Sequence, residues 1–171
     1  MPHPEPRMIR LAQISDLPAI VGIYNASIPS RLATADTEPI SVDSRVPWLT
    51  DREPRHPVWV FEREGAVLAW LSLGKFYGRP AYAATAEIGF YVAPSAQRAG
   101  LATALLAHAC AEAPTLGHKT LLAFVFSHNL ASIALCEKFG FSTWGKLPRV
   151  ALLDGVERDL SILGLRLAPN G

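Results

Sequence analysis

Residues 83–126 run strand, small-residue turn, helix, strand, and no other stretch constrains the fold as tightly. Ala83 to Val92 is rich in β-branched and aromatic residues, and Pro94 closes it because proline cannot donate to a sheet ladder. Leu101 to Ala113 is Ala- and Leu-rich with no interior glycine or proline, which predicts a helix ended by Pro114 and Gly117. Lys119 to Phe126 is an apolar run of strand length. Two strands joined through a helix pair in parallel by a right-handed crossover, so the chain must contain a parallel element.

The flanking segments complete the sheet. Met8–Leu11 reads as a short strand, and Ser15-Asp16 with Pro18 as a helix start; Leu17, Ile20, Val21, Tyr24 and Ile28 then recur at helical spacing. The segment from Pro29 to Pro57 holds five prolines and reads as loop and short helix, anchored by Trp48 and Leu49 and able to shape a pocket. Val58 opens a hairpin, VWVFE and VLAWLSL about the Glu64-Gly65 turn. Asn129–Phe139 is helical with Gly140 at its end, and closing strands occupy Thr143–Leu153 and Glu157–Leu165. The order β-α-β-β-β-α-β-α-β-β predicts an α/β fold, one domain over residues 1–171, with a mixed sheet covered by helices on both faces. Residues 1–7, Pro-rich, are expected to be frayed.

Charge and cysteine usage narrow the partners. Lys and Arg number 16 against 15 Asp and Glu, without a basic run, so no field gathers nucleic acid or an anionic membrane. No stretch approaches the roughly 18 apolar residues of a membrane span, and the N-terminus has no apolar signal core. Cys110 and Cys136 form no C-x-x-C and no needed staple, which favours a reducing cytoplasm. None of the five histidines is spaced as a zinc pair, so no metal is expected.

The turn between Val92 and the following helix reads Gln97-Arg98-Ala99-Gly100-Leu101-Ala102. Small residues admit a ligand to the backbone, and the unpaired N–H groups and dipole of a helix start favour a pyrophosphate, with Arg98 as an added cation. Alone, the string is equally an ordinary strand-to-helix turn.

QRAGLA after a strand and opening a helix resembles the acetyl-coenzyme A signature of the GCN5-related N-acetyltransferase (GNAT) superfamily. YNASIPS, ATADTEP, RPAYAATAEIGFYVAP, NLASIALCEKFGF and LPRV extend the resemblance over residues 8–167, toward the phosphinothricin and methionine sulfone acetyltransferase branch. It implies a coenzyme arm lying between splayed parallel strands, along a bulged strand at Phe90, Tyr91 and Val92, with the Val92 N–H facing the thioester oxygen. It places the pyrophosphate on Arg98, Ala99, Gly100, Leu101, Ala102 and Thr103, and sets Asn129 against the coenzyme. Asn129 is equally an N-cap, and one residue can do both.

The resemblance also places Glu87 at the reacting end, as general base or as partner of the acceptor ammonium. Where relatives carry Tyr or His to protonate the leaving thiolate, this chain has Cys136, a weak donor or a small buried hydrophobe. Phe76, Tyr77 and Arg79 are candidates for substrate contact; Arg79 either grips a carboxylate or is solvated. Ala35 replaces a frequent Phe, and Leu152–Glu157 departs from a Lys-Phe-Gly-Arg-Trp-like stretch, which alters the pocket. The expected protein is thus an acetyl-coenzyme A-dependent transferase acting on a small amino-acid-like amine, and by resemblance a homodimer, with Trp48 and Trp144 as interface aromatics. Rival readings are a peptide N-terminal acetyltransferase and a non-catalytic acetyl-coenzyme A-binding domain.

Overall fold

The computed structural model describes residues 9–169. The expected fraying of residues 1–7 and the start of the first strand at Met8 lie outside them. Seven strands, β1 (Ile9–Leu11), β2 (Val58–Arg63), β3 (Ala66–Lys75), β4 (Thr85–Val92), β5 (Thr120–Phe126), β6 (Ser142–Leu153) and β7 (Val156–Arg166), form one sheet in the order β1-β2-β3-β4-β5-β7-β6. Among the described residues only β4 and β5 pair in parallel. The helices are α1 (Leu17–Ser27), α2 (Val46–Thr50), α3 (Leu101–Glu112) and α4 (Leu130–Lys138).

Strand alternation divides the side chains between two cores. Trp59, Leu71, Leu73, Ala86, Ile88, Leu121 and Ala123 face α3 and α4 and pack with Leu105, Leu106, Ala109 and Cys136. The opposite face presents Val58, Val60 and Trp70 to Ile20, Ile23 and Tyr24 of α1, with Trp48 of α2 edge-on to Trp70 at 5.5 Å. Leu105 and Leu106 have no exposed surface, and truncating such a leucine to alanine costs about 2–5 kcal/mol. Asp16 fixes α1 to the sheet edge: it accepts from both Arg10 terminal nitrogens at 2.8 and 2.9 Å and from the Gln13 N–H at 2.7 Å. That cation holds the Asp16 carboxyl below the usual carboxylate range.

One expectation needs correction. The β3–β4 register runs unbroken from Ala69↔Val92 to Lys75↔Ala86, so β4 carries no bulge against its antiparallel neighbour. The register shifts fall instead at Phe61/Glu62 in β2 and at Thr143/Gly145 and Leu147/Ala151 in β6. As expected, α3 ends at Glu112, just ahead of Pro114. The proline opens a 3-10 turn over Ala113–Leu116, where its missing N–H costs nothing, and Gly117 at φ 89° makes the exit.

Candidate active site

The parallel pairing is short. β4 and β5 are in register from Thr85↔Thr120 to Ile88↔Ala123, after which β4 stays with β3 and β5 with β7. Between the diverging arms lies a cavity of about 380 Å³, lined by Glu87 to Tyr91 on one arm and Ala123 to Phe126 on the other. The fork therefore arises from strand divergence rather than from an inserted residue. Ala93 donates its N–H to Leu68 O at 2.8 Å, toward β3. Alternation then turns the N–H and C=O of Phe90 and Val92 into the fork, where no strand meets them. These are free edges that an extended amide chain can pair with.

At the open end of the fork the chain turns into α3. Arg98 at φ 64° and Gly100 at φ 78° hold the loop in the left-handed region, and Gly100 is the N-cap. A Cβ on Gly100 would meet nothing within 4 Å, so the approach to the first helical turn is clear. Leu101 points its side chain into the core at 3% exposure and offers the loop only its backbone; Arg98 and Ala99 are exposed. Ala102 is half-buried and Thr103 exposed.

Glu87 sits on the α1-facing side of β4, half-buried, opposite Leu122 of β5. Burial pushes its pKa above the usual carboxylate value. No hydrogen bond or ion pair to its carboxylate occurs among the described residues, so the alternative of a neighbouring arginine partner finds no arginine in place. Of the side chains lining the cavity it is the one carboxylate, and no Lys, Arg or His accompanies it. An unpaired carboxylate in an apolar cleft can accept a proton or hold an ammonium.

A strap of residues 31–36 roofs the cleft, with Leu32 to Ala35 lining it. Three consecutive strap carbonyls are each held by a side chain: Arg31 O by His128 Nε2 at 3.0 Å, Leu32 O by Asn129 Nδ2 at 3.1 Å, and Ala33 O by the Tyr91 hydroxyl at 3.3 Å. Farther along, the Tyr24 hydroxyl meets Thr34 Oγ1 at 2.6 Å and donates to Asp36. Asn129 also caps α4, its Oδ1 accepting from the Ser132 N–H at 3.3 Å, while it lines the cavity.

The remaining candidates are not gathered there. Cys136 is fully buried between α4 and the sheet, away from the cavity lining, and desolvation pushes its thiol up to about 11. That burial favours the small buried hydrophobe over the proton donor to a leaving thiolate. Tyr77 is 79% exposed. Arg79 is exposed and lines a separate hollow. Phe76 lies between the two spaces: it lines that hollow and stacks on Phe124 of the cleft with ring centroids 6.4 Å apart. Sequence reasoning missed His128, Tyr24, Thr34 and Phe124. The Pro-rich composition of 29–57 and the ATADTEP stretch with Ala35 were the signals for the strap, but side chains that bind backbone carbonyls leave no spacing to read. In the C-terminal hairpin the cleft takes Val150 and Ala151 rather than Leu152–Glu157, whose Asp154 pairs with Arg31 at 3.0 Å. Among the described residues no group of three or more His, Cys, Asp or Glu is arranged to hold a metal.

The model of the Acetyltransferase (GNAT) family matches residues 20–141. A candidate phosphinothricin acetyltransferase of Bacillus subtilis (strain 168), YwnH, is 45% identical over 94% of this chain and 99% of its own length. The L-methionine sulfoximine/L-methionine sulfone acetyltransferase of Salmonella typhimurium is 32% identical over 93% of this chain and 94% of its own. A phosphinothricin acetyltransferase from Sinorhizobium meliloti, solved in complex with acetyl-coenzyme A, superposes with a TM-score of 0.87 at 27% identity, covering 95% of this chain and 89% of that one.

Proposed function

This chain belongs to the GNAT acetyltransferase family, whose members are acyltransferases, and we propose that it moves the acetyl group of acetyl-coenzyme A onto the amino group of a small amino-acid-like substrate. The acceptors named for its relatives, phosphinothricin and methionine sulfoximine or sulfone, define the class. The observation that carries the reading is the unpaired, half-buried Glu87 lining the cavity at the fork, beside the free edge of Phe90.

Acetyl-coenzyme A supplies the activated acyl group. Phe90 and Val92 offer backbone partners to its amide arm, and Arg98 to Thr103 hold its pyrophosphate at the start of α3. Glu87 takes a proton from the acceptor ammonium, freeing the lone pair that attacks the thioester carbonyl. The Val92 N–H donates to the carbonyl oxygen as negative charge grows there. Of the two protons the ammonium gives up, one leaves through Glu87 to solvent and the other ends on the coenzyme sulfur. Cys136 takes no part, and Asn129 acts first as cap and strap anchor. A roofed cleft of about 380 Å³ suits a small acceptor better than an extended peptide. The protein acts in the reducing cytoplasm, in keeping with its two free cysteines, and works as a homodimer.

Glu87→Gln is expected to keep acetyl-coenzyme A affinity and lower kcat about 10²- to 10⁴-fold at neutral pH. Thiol release across an amine panel, with the coenzyme Kd from calorimetry, checks it. A raised acceptor KM with kcat intact would make Glu87 an ammonium partner only, and wild-type values for both would refute the assignment.

A further inference from the structure

The strap over the cleft begins on a residue in a costly conformation. Arg31 stands at φ 56° and ψ 22°, the left-handed region in which a Cβ crowds the following carbonyl. A bulky residue stays there only where its surroundings over-determine it, and such places gather at ligand clamps. Three bonds do so here. Its Nε donates to Asp154 Oδ2 at 3.0 Å, its Nη1 to Thr37 O at 3.2 Å, and its carbonyl accepts from His128 Nε2 at 3.0 Å. Of the three, only the His128 bond holds the Arg31 backbone itself.

The His128 ring is aimed by stacking on Phe126, with centroids 5.6 Å apart and planes 25° from parallel. Because a carbonyl can only accept, Nε2 carries the proton. Phe126 and Asn129, on either side of it in sequence, line the cleft, and His128 does not. Any effect of His128 on a bound acceptor must therefore pass through the strap, whose Leu32 to Ala35 share the cavity with Glu87. Asn129 and Tyr91 hold the next two carbonyls, but both line the cavity, so changing either disturbs the site directly. We propose that His128 is a positioning residue: it keeps Arg31 left-handed and so sets where Leu32 and Ala33 stand over an acceptor held at Glu87. Without that bond Arg31 relaxes toward the right-handed region and redirects the chain as far as Thr34, which the Tyr24 hydroxyl holds at 2.6 Å. His128 thus governs acceptor fit rather than chemistry, and the identity of the acceptor rests on the acetyl-transfer reading.

Two substitutions separate the bond from the packing. His128→Phe keeps a ring on Phe126 and loses the N–H, whereas His128→Gln loses the ring and keeps an N–H. Amide hydrogen exchange over residues 31–36 of the whole protein is expected to run about tenfold faster in His128→Phe and within about twofold of wild type in His128→Gln. With the best acceptor of an amine panel, His128→Phe should raise the acceptor KM about three- to tenfold, as loss of one neutral hydrogen bond allows, and leave kcat and the acetyl-coenzyme A Kd within about twofold. His128→Gln should bring KM back to within about twofold of wild type. Strap exchange that is unchanged in His128→Phe, or equally fast in both variants, overturns the assignment, since the bond would then not be what holds Arg31. A loosened strap with KM unchanged, or a loss confined to kcat or coenzyme affinity, overturns it as well. Because exchange needs no turnover, failure of every amine to accept acetyl would count against the transferase reading, while the contrast between the two variants would still decide whether His128 holds the strap.

Discussion

Glu87 shows how one residue can be legible in its place and illegible in its surroundings. The motif TAEIGFYV put a carboxylate five residues before Val92, but nothing in the sequence said whether an arginine would reach it. That depends on Lys75 and Arg79 turning into a neighbouring hollow and Arg52 turning inward to the carbonyls of His56 and Leu73. With its pKa raised by burial, Glu87 becomes a competent base only above that raised value, so the rate should fall as pH drops through it, and the Glu87→Gln rate should keep climbing toward alkaline pH. The same shift opposes folding at neutral pH: the stability linked to its protonated form is full below the ordinary Glu pKa and lost as pH rises through the folded one. Cys136 is the opposite case. Its place in the motif suggested chemistry, whereas its neighbours make it packing, because position 136 turns into the α3–α4 core. Cys136→Ala should leave kcat within about twofold and cost roughly 1 kcal/mol of stability, read by steady-state kinetics and thermal melts.

At the scale of elements, periodicity and punctuation carried most of the prediction. The hairpin about Glu64-Gly65, the helix opening after Gly100 and the strand from 120 all occur, because alternation and glycine position act locally. What failed was pairing detail. A bulge depends on which partner a strand keeps, and β4 keeps β3 in register while losing β5. Asn129 was readable as a cap since the cap bond is local, but its hold on Leu32 O, 97 residues away in sequence, was not. The α3 start gives the clearest test of an element. With open space about Gly100, Gly100→Glu is limited to the left-handed strain of about 1–2 kcal/mol and should fold. Acetyl-coenzyme A should raise the wild-type melting temperature and not that of the variant, since the new carboxylate stands at the proposed pyrophosphate position. An unchanged shift would remove this loop from the coenzyme site.

At the scale of the molecule, the C-terminal hairpin of β6 and β7 leaves several large apolar side chains exposed. Trp48, offered by the sequence as an interface residue, is instead packed on Trp70 with Arg45 and Arg52 over its ring. Trp144 is 49% exposed, and Leu147, Val150, Leu152 and Val156 of the same hairpin are exposed with it. The proposed homodimer should bury this hairpin, so sedimentation should give twice the 18.5 kDa chain mass, and Leu152→Lys should return it toward the monomer. A monomer at all concentrations would end that proposal.

The order of the strands has a mechanical meaning. β1 to β4 form one antiparallel leaf and β5 to β7 another, stitched only where Thr85–Ile88 meets Thr120–Ala123. Tension drawn across the sheet from β1 to β6 passes through that four-residue seam, around it through the α3 crossover, or across the strap bonds of Arg31 and Leu32 to His128, Asn129 and Asp154. A bound coenzyme arm bonded to both leaves would lengthen the seam, so that substrate and scaffold share the load and the cleft stiffens as it fills.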